Sequence, residues 1–253
     1  MIHTTNAPET LFRQAMEAPL TPDGEMDARQ ALQYAMNGLL ARRELKRDPR
    51  LQNMLLACRL RLRTLQNIIL CARQESDFIL RPCELREYIA DLCAASNTLL
   101  APLGRQVRFE APEEPMECLC APRDIGWLAL ELICNSALHC PGEEIQVKLE
   151  PRGKKRARAC VLTVECEGPL DLDALHVSGL RAGSGVAAMQ RIAWLHRGAL
   201  LWLEREGKSI AVLRIEGGRQ EYRPYGDMPD DVELLSDPCS QVYIALAPAA
   251  GGV

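Results

Sequence analysis

The amino-acid sequence predicts an α+β fold in which an N-terminal helical hairpin precedes a two-layer sandwich of helices and a sheet. Apolar residues recur at helical spacing over 26–46 and again over 50–75, and Asp48-Pro49 separates the two segments. Further along, helical segments are mixed with pairs of strands that short turns join. This mixture is typical of an α/β two-layer sandwich rather than of a doubly wound parallel sheet.

The composition is that of an ordinary globular chain. Hydrophobic residues make up 47% and charged residues 25% of the 253 residues, and the net charge of −4 gives no reason to expect nucleic acid or an anionic membrane as the partner. No apolar stretch reaches the roughly 20 residues that span a bilayer, and the N-terminus lacks the pattern of a secretory signal. We therefore expect a cytoplasmic protein whose eleven cysteines stay reduced, with no zinc site.

The second segment of the hairpin carries a broad apolar stripe. The stripe consists of Leu51, Met54, Leu55, Cys58, Leu62, Leu65, Ile68, Ile69 and Ala72. One partner helix cannot cover a stripe of this width. We therefore expect a homodimer in which two hairpins form a four-helix bundle, and the alternative is that the hairpin packs on its own downstream domain.

The remaining elements follow in chain order. Helices are expected at 84–100, 123–139 and 186–197, and strands at 107–110, 117–121, 144–150, 159–165, 199–205 and 209–215. The basic turn PRGKKRAR is predicted to be a solvated hairpin tip, and the run 241–246 between two prolines to be an extra edge strand. This gives a helical-hairpin domain at 1–80, a sandwich at 81–218 and a tail with one extra strand at 219–253.

The first motif is Glu131-Leu-Ile-Cys-Asn135-Ser-Ala-Leu-His139, at the end of a predicted helix. Glu131 and Asn135 are one helical turn apart and share a face. The segment resembles the N-box of the ATP-binding domain that histidine kinases share with gyrase. The resemblance implies that Asn135 ligates Mg²⁺ on the triphosphate of ATP and that Glu131 positions or deprotonates the attacking group. The alternative is that Asn135 hydrogen-bonds a buried loop.

The second motif, at 162–169, resembles the G1 box of the same family, in which a strand runs into Asp-x-Gly-x-Gly. In that family the Asp accepts a hydrogen bond from the adenine amino group. Gly168 matches the first glycine, but Cys166 stands at the position of the Asp and Leu170 at that of the second glycine. The resemblance therefore implies an adenine site whose carboxylate is replaced by a thiol.

The third motif is Gly183-Ser-Gly185, followed by a helix and the turn His196-Arg-Gly198. It resembles the G2 box and its helix. Glycines let a backbone approach phosphates, and a helix start favours an anion. The resemblance implies that nucleotide phosphates bind beside Gly183 and Gly185, and the alternative is an ordinary loop before a helix.

The N-terminal half extends the resemblance. Residues 61–76 are similar to the second helix of the family's dimerisation domain, and 12–21 to its H-box. In this alignment Gln14 stands where the phosphorylated histidine belongs, and Ala15 replaces the acid beside it. An amide cannot become a phosphohistidine. We expect solvated or packing roles for the other histidines of the matched region, which are His139, His176 and His196.

The resemblance implies a histidine-kinase-like protein of two-component signal transduction that acts as a dimeric regulatory pseudokinase, with weak or no autophosphorylation. Its ligands would be ATP and Mg²⁺, and its partners a response regulator or another histidine kinase. One alternative is an active ATP-dependent protein-histidine kinase or ATPase. The other is a scaffold of the anti-sigma type that binds no nucleotide, for which Mg-ATP would cause no thermal shift.

Overall fold

The structure, a computed structural model, describes residues 8–21, 24–153, 159–169, 171–181, 183–216 and 228–251. The helices are α1 (Pro8–Glu17), α2 (Glu25–Leu40), α3 (Pro49–Ala72), α4 (Arg86–Leu100), α5 (Pro122–His139), α6 (Leu172–Leu180), α7 (Gly185–Leu195), α8 (Asp231–Ser236), α9 (Gln241–Ala245) and α10 (Ala247–Ala250). The strands are β1 (Arg81–Glu84), β2 (Gln106–Glu110), β3 (Glu117–Cys120), β4 (Glu144–Arg152), β5 (Ala159–Glu167), β6 (Ala199–Arg205) and β7 (Lys208–Glu216). None of the described helices is long and apolar enough to cross a membrane.

The predicted helical hairpin is confirmed as α2 and α3. The Asp48 side chain accepts a hydrogen bond of 2.8 Å from the Arg50 N–H, so it caps α3 ahead of Pro49. The antiparallel pairing is marked by a 2.9 Å hydrogen bond from Arg29 Nη2 to Gln66 Oε1. Helix α2 ends at Leu40, earlier than expected, because the chain turns over 43–47.

Most of the broad stripe of α3 is buried within the chain, whereas Ile68 and Ile69 are half-buried and Ala72 is exposed. Its N-terminal half packs with α1 and α2, where Leu32, Met36 and Leu39 are fully buried. Its C-terminal half reaches the sandwich, where Leu70 joins the core, and α3 also packs against α7, α9 and α10. The alternative that the hairpin packs on its own downstream domain therefore holds along this half. The homodimer stays a prediction.

The sandwich consists of a five-stranded sheet with helices on one face, as predicted. The strand order is β2-β4-β5-β7-β6, parallel between β2 and β4 and antiparallel elsewhere. Helices α4, α5 and α7 pack on the sheet. Every strand predicted between 107 and 215 is present, with ends within two residues of the expected ones. The short β1 was not predicted, since it exists by pairing with β3 in a separate two-stranded sheet.

The predicted edge strand at 241–246 is wrong, because Gln241–Ala245 forms helix α9. Val242, Ala245 and Leu246 are buried, and their spacing of three and four residues suits a helix rather than an alternating strand. Helices α8–α10 pack on α3, α4 and α5. The Arg59 guanidinium lies 4.7 Å from the centre of the Tyr243 ring, which fastens α9 to α3. The tail therefore joins the hairpin to the sandwich. Residues 219–227 lie outside the described ranges, as do the tip 154–158 of the basic turn and Leu170.

The expectation that all eleven cysteines stay reduced is wrong in this structure. Disulfides join Cys118 to Cys160 and Cys140 to Cys166, and the other seven cysteines are free. The partners are 42 and 26 residues apart in sequence, so only the packing of β3 and of the end of α5 against β5 brings them together. The described residues contain no group of three or more His, Cys, Asp or Glu that could hold a metal ion.

Candidate functional site

A cavity of about 540 Å³ lies among α5, α6, the start of α7 and strands β5–β7. Its volume is in the usual range for small-molecule sites. Three of the six residues that the sequence motifs single out line it, namely Asn135, Cys166 and Gly185. The other three, Glu131, Gly168 and Gly183, lie next to the lining without belonging to it. The motifs therefore converge on one place in the fold.

Part of the cavity is built at the end of α5 and the start of α7. Asn135 is half-buried on the last turn but one of α5, and its amide oxygen is a suitable ligand for a hard cation. Ser184 caps α7 by accepting a 3.1 Å hydrogen bond from the Ala187 N–H. Ser184 and Gly185 line the cavity, so the positive end of α7 faces it.

Glu131 is fully buried one turn before Asn135, and it faces α3. Its Oε2 lies 2.5 Å from Arg63 Nη2. Burial raises the pKa of the Glu131 carboxyl, while the Arg63 guanidinium and Asn67 act in the opposite direction. In this arrangement the carboxylate is engaged by α3, so the sequence-based role of Glu131 as a catalytic acid or base requires α3 to move.

This ion pair is one rung of a polar ladder between α3 and α5. Along the ladder the residue numbers increase on α3 and decrease on α5, so the two helices run antiparallel. In the middle rung the indole Nε1 of Trp127 donates a 3.0 Å hydrogen bond to the amide oxygen of Asn67, and both side chains are buried. The polar ladder joins Arg63 to Glu131, Asn67 to Trp127, and Arg73 to Asp124.

The glycines of the third motif make close contacts with α3. A methyl group at Gly185 would lie 2.1 Å from Glu131 Oε2 and 3.3 Å from Arg63 Nη2. Gly183 has a φ of +79°, and a methyl group there would lie 2.8 Å from Ile68 Cγ1. Gly183 is therefore explained by the docking of α3 and Gly185 by the close approach of the Glu131–Arg63 ion pair, and of the two glycines Gly185 also lines the cavity.

The cavity also contains the position at which the second motif departs from the G1 box. Cys166 is buried in β5, lines the cavity and is bonded to Cys140, the residue that follows α5. Gly168 adopts a φ of +130°, and its N–H donates a 2.9 Å hydrogen bond to Gly207 O. It lies against Pro141 and so holds the loop after α5 at the end of β5. The lining also contains a carboxylate, Asp171, whose Oδ1 accepts a 2.8 Å hydrogen bond from the Ala174 N–H and so caps α6.

Several residues that line the cavity were not predicted. An apolar wall is formed by Leu132, Val164, Leu175 and Trp202. Arg63 reaches the cavity from α3, and nothing in the sequence marks it, because its position depends on how the hairpin docks. The place of Cys140 in the lining could have been predicted, because this residue directly follows the N-box-like helix.

His196 has the packing role that the sequence analysis expected, whereas His139 lies in the lining of the cavity. His196 is buried, accepts a 3.0 Å hydrogen bond from the Ala121 N–H at Nε2 and donates from Nδ1 to Ile192 O at 2.8 Å. Burial lowers the pKa of His196 to about 4, so the ring is neutral and serves packing. His139 and His176 are exposed, and Gln14 is exposed on α1.

Comparison with known proteins identifies the fold. No family model and no curated protein matches the sequence. Among solved structures, histidine kinase AdeS of Acinetobacter baumannii matches 84% of this chain and 96% of its own, with a TM-score of 0.54 and 15% identity. Full-length ShkA in complex with AMPPNP matches 78% of this chain and 46% of its own, with a TM-score of 0.57 and 14% identity. The chain therefore has the fold of a sensor histidine kinase core, which confirms the predicted fold class.

Proposed function

We propose that this protein is a histidine-kinase-like regulator of two-component signalling that binds a nucleotide in the cavity and transfers no phosphoryl group to itself. The observation that carries the proposal is the convergence of Asn135, Cys166 and Gly185 on one cavity of about 540 Å³ in a histidine kinase fold. Partners of the same system, a response regulator or another histidine kinase, complete the proposal.

The cavity suits the two halves of ATP unequally. A triphosphate would suit the part of the cavity that contains Asn135, the start of α7 and the Arg63 guanidinium. Mg²⁺ would be held there by the Asn135 oxygen and by phosphate oxygens. The apolar wall suits a base, but the sulfur at position 166 is a weak acceptor for the adenine amino group. We therefore expect weak binding of ATP with little preference for adenine over guanine.

We predict no autophosphorylation with Mg-ATP. The exposed residue at the H-box position is Gln14, whose amide cannot accept a phosphoryl group, and Glu131 is engaged by Arg63. The measurement is incorporation of radiolabel from ATP into the purified full-length chain, with an active histidine kinase as the positive control. Acid-labile, base-stable label on the protein would favour the active-kinase alternative, and mapping it would identify the phosphoacceptor.

We predict that Cys166→Asp tightens ATP binding by about tenfold to a hundredfold and restores selectivity for ATP over GTP. A carboxylate would accept the hydrogen bond from the adenine amino group that a sulfur accepts poorly, a difference of about 1–3 kcal/mol. Calorimetric titration with ATP and GTP measures both effects.

The matched control is Cys166→Ser, which also breaks the disulfide to Cys140 but adds no carboxylate. If the Ser variant gains as much as the Asp variant, the effect comes from loss of the disulfide. Tight, adenine-selective binding by the unmodified chain would contradict the proposed weak anchor. Absence of nucleotide binding by every variant would favour the scaffold alternative.

We also propose a homodimer through the hairpin. Although the chain covers most of its own stripe, Met26, Tyr34 and Leu60 stay exposed on α2 and α3. The Arg29–Gln66 pair sets the register of the two antiparallel helices, so Tyr34 and Leu60 lie at nearly the same level along the hairpin axis. Light scattering at tens of micromolar should give the mass of a dimer, and Tyr34→Glu with Leu60→Glu should give a monomer. A monomer in the unmodified chain would contradict the proposal.

A further inference from the structure

Arg63 belongs to the helical hairpin, but its side chain forms part of the cavity wall in the sandwich. The side chain is 19% exposed, whereas its partner Glu131 is fully buried. The contact with Glu131 uses one terminal nitrogen, and a guanidinium carries five N–H donors in a planar fork. Arg63 can therefore contact Glu131 on one side and a ligand in the cavity on the other.

The surroundings of Arg63 determine which ligand chemistry suits it. A methyl group on Gly185 would lie 3.3 Å from Arg63 Nη2, so the guanidinium stands directly beside the start of the 11-residue helix α7. Asn135 and Ser184 belong to the same wall. A fixed guanidinium, a helix start and hydrogen-bonding side chains together favour a polyanion, and an Arg fork matches the geometry of phosphate oxygens.

We propose that Arg63 binds the phosphate groups of the nucleotide in the cavity, so that a residue of the hairpin completes a site of the sandwich. This inference rests on the proposed function of the cavity as a nucleotide site. It identifies the ligand as a nucleoside diphosphate or triphosphate, since a nucleoside without phosphates has no group for Arg63.

The proposal links ligand binding to the docking of α3. Arg63 can reach the cavity only while α3 is docked on the sandwich, where the polar ladder joins it to α5 and apolar contacts join it to α7, α9 and α10. A ligand that contacts Arg63 therefore binds the docked arrangement more tightly than an undocked one, and by reciprocity it stabilises docking. The bound nucleotide then has a direct mechanical connection to the hairpin that needs no phosphoryl transfer.

The test compares Glu131→Gln with the double variant Arg63→Gln/Glu131→Gln. Both lack the buried carboxylate and differ only in the guanidinium, so neither leaves a buried carboxylate unpaired, and the guanidinium that remains in the single variant is 19% exposed. Calorimetric titration uses ATP, ADP, adenosine and sodium tripolyphosphate. Arg50→Gln removes a positive charge from an exposed position of the same helix and is the control for net charge.

We expect the double variant to bind ATP and ADP about tenfold more weakly than Glu131→Gln and to bind adenosine equally well. Arg50→Gln should match the unmodified chain. Equal ATP affinity in the two Glu131 variants would overturn the role of Arg63 and leave the nucleotide site intact. If no variant binds ATP or ADP, the nucleotide site itself is wrong. Tripolyphosphate binding that disappears in the double variant would then still support Arg63 as an anion ligand, and its absence would overturn both ideas.

Discussion

Replacing Arg63 with alanine should lower the free energy of unfolding by about 3–5 kcal/mol at pH 8. The variant leaves the Glu131 carboxylate fully buried without its ion-pair partner. The reverse change, Glu131→Ala, leaves a guanidinium that is already 19% exposed and can turn toward water. We therefore expect the second variant to lose clearly less stability than the first. Urea denaturation of both variants measures the difference.

The loss in free energy of unfolding that Arg63→Ala causes should become smaller as the pH falls. Burial already raises the pKa of Glu131 in the folded protein, and removal of Arg63 raises it further. A carboxyl group whose pKa is higher in the folded than in the unfolded state favours folding more at low pH. Denaturation at pH 5.5 should thus show a smaller loss than at pH 8, whereas the loss in Glu131→Ala should not shrink, because that variant lacks the carboxyl group that favours folding at low pH. A loss independent of pH in Arg63→Ala would contradict the ladder as described.

Acidification from pH 6.5 to pH 4 should destabilise the protein by about 3 kcal/mol through His196 alone. Burial lowers the pKa of this ring to about 4, compared with 6.5 for the exposed side chain. The unfolded chain therefore takes up a proton below pH 6.5 that the folded chain resists until about pH 4. The contribution is fully present above pH 6.5 and is lost as the pH falls through this window.

The measurement is the free energy of unfolding at several pH values between 7 and 4. His196→Gln should be less stable at pH 7 but should show a shallower fall toward pH 4 than the unmodified chain. His176→Gln is the control, because His176 is exposed. An unchanged slope in His196→Gln would mean that the ring titrates normally in the folded protein.

The sandwich could be predicted from the sequence because its signals are local. Alternation in β4 and β5, the stripe of α5 and the glycines around α7 each reflect the element that contains them. The three motifs single out Asn135, Cys166 and Gly185, and these three residues line one cavity. Residue 166 was likewise identified as the departure from the family pattern, although its bond to Cys140 was not.

The position of α3 could not be predicted, because it depends on contacts between segments more than 50 residues apart. Arg63 and Asn67 have the polar character of a solvated face, and their burial follows from Glu131 and Trp127 on another helix. The prediction of a strand in the tail was wrong for a related reason. Val242 lies in a short apolar run that fits a strand as well as a helix, and packing against α3 and α5 decides between them.

The tail determines how the chain can move. Helices α9 and α10 contact both α3 and α5, so they occupy the angle between the hairpin and the sandwich. Val242 and Leu246 are completely buried in that angle. A rotation of the hairpin about the sandwich would have to expose these side chains or carry the tail along with it. The hairpin and the sandwich should consequently melt in a single cooperative transition, because residues 228–251 hold their relative orientation fixed.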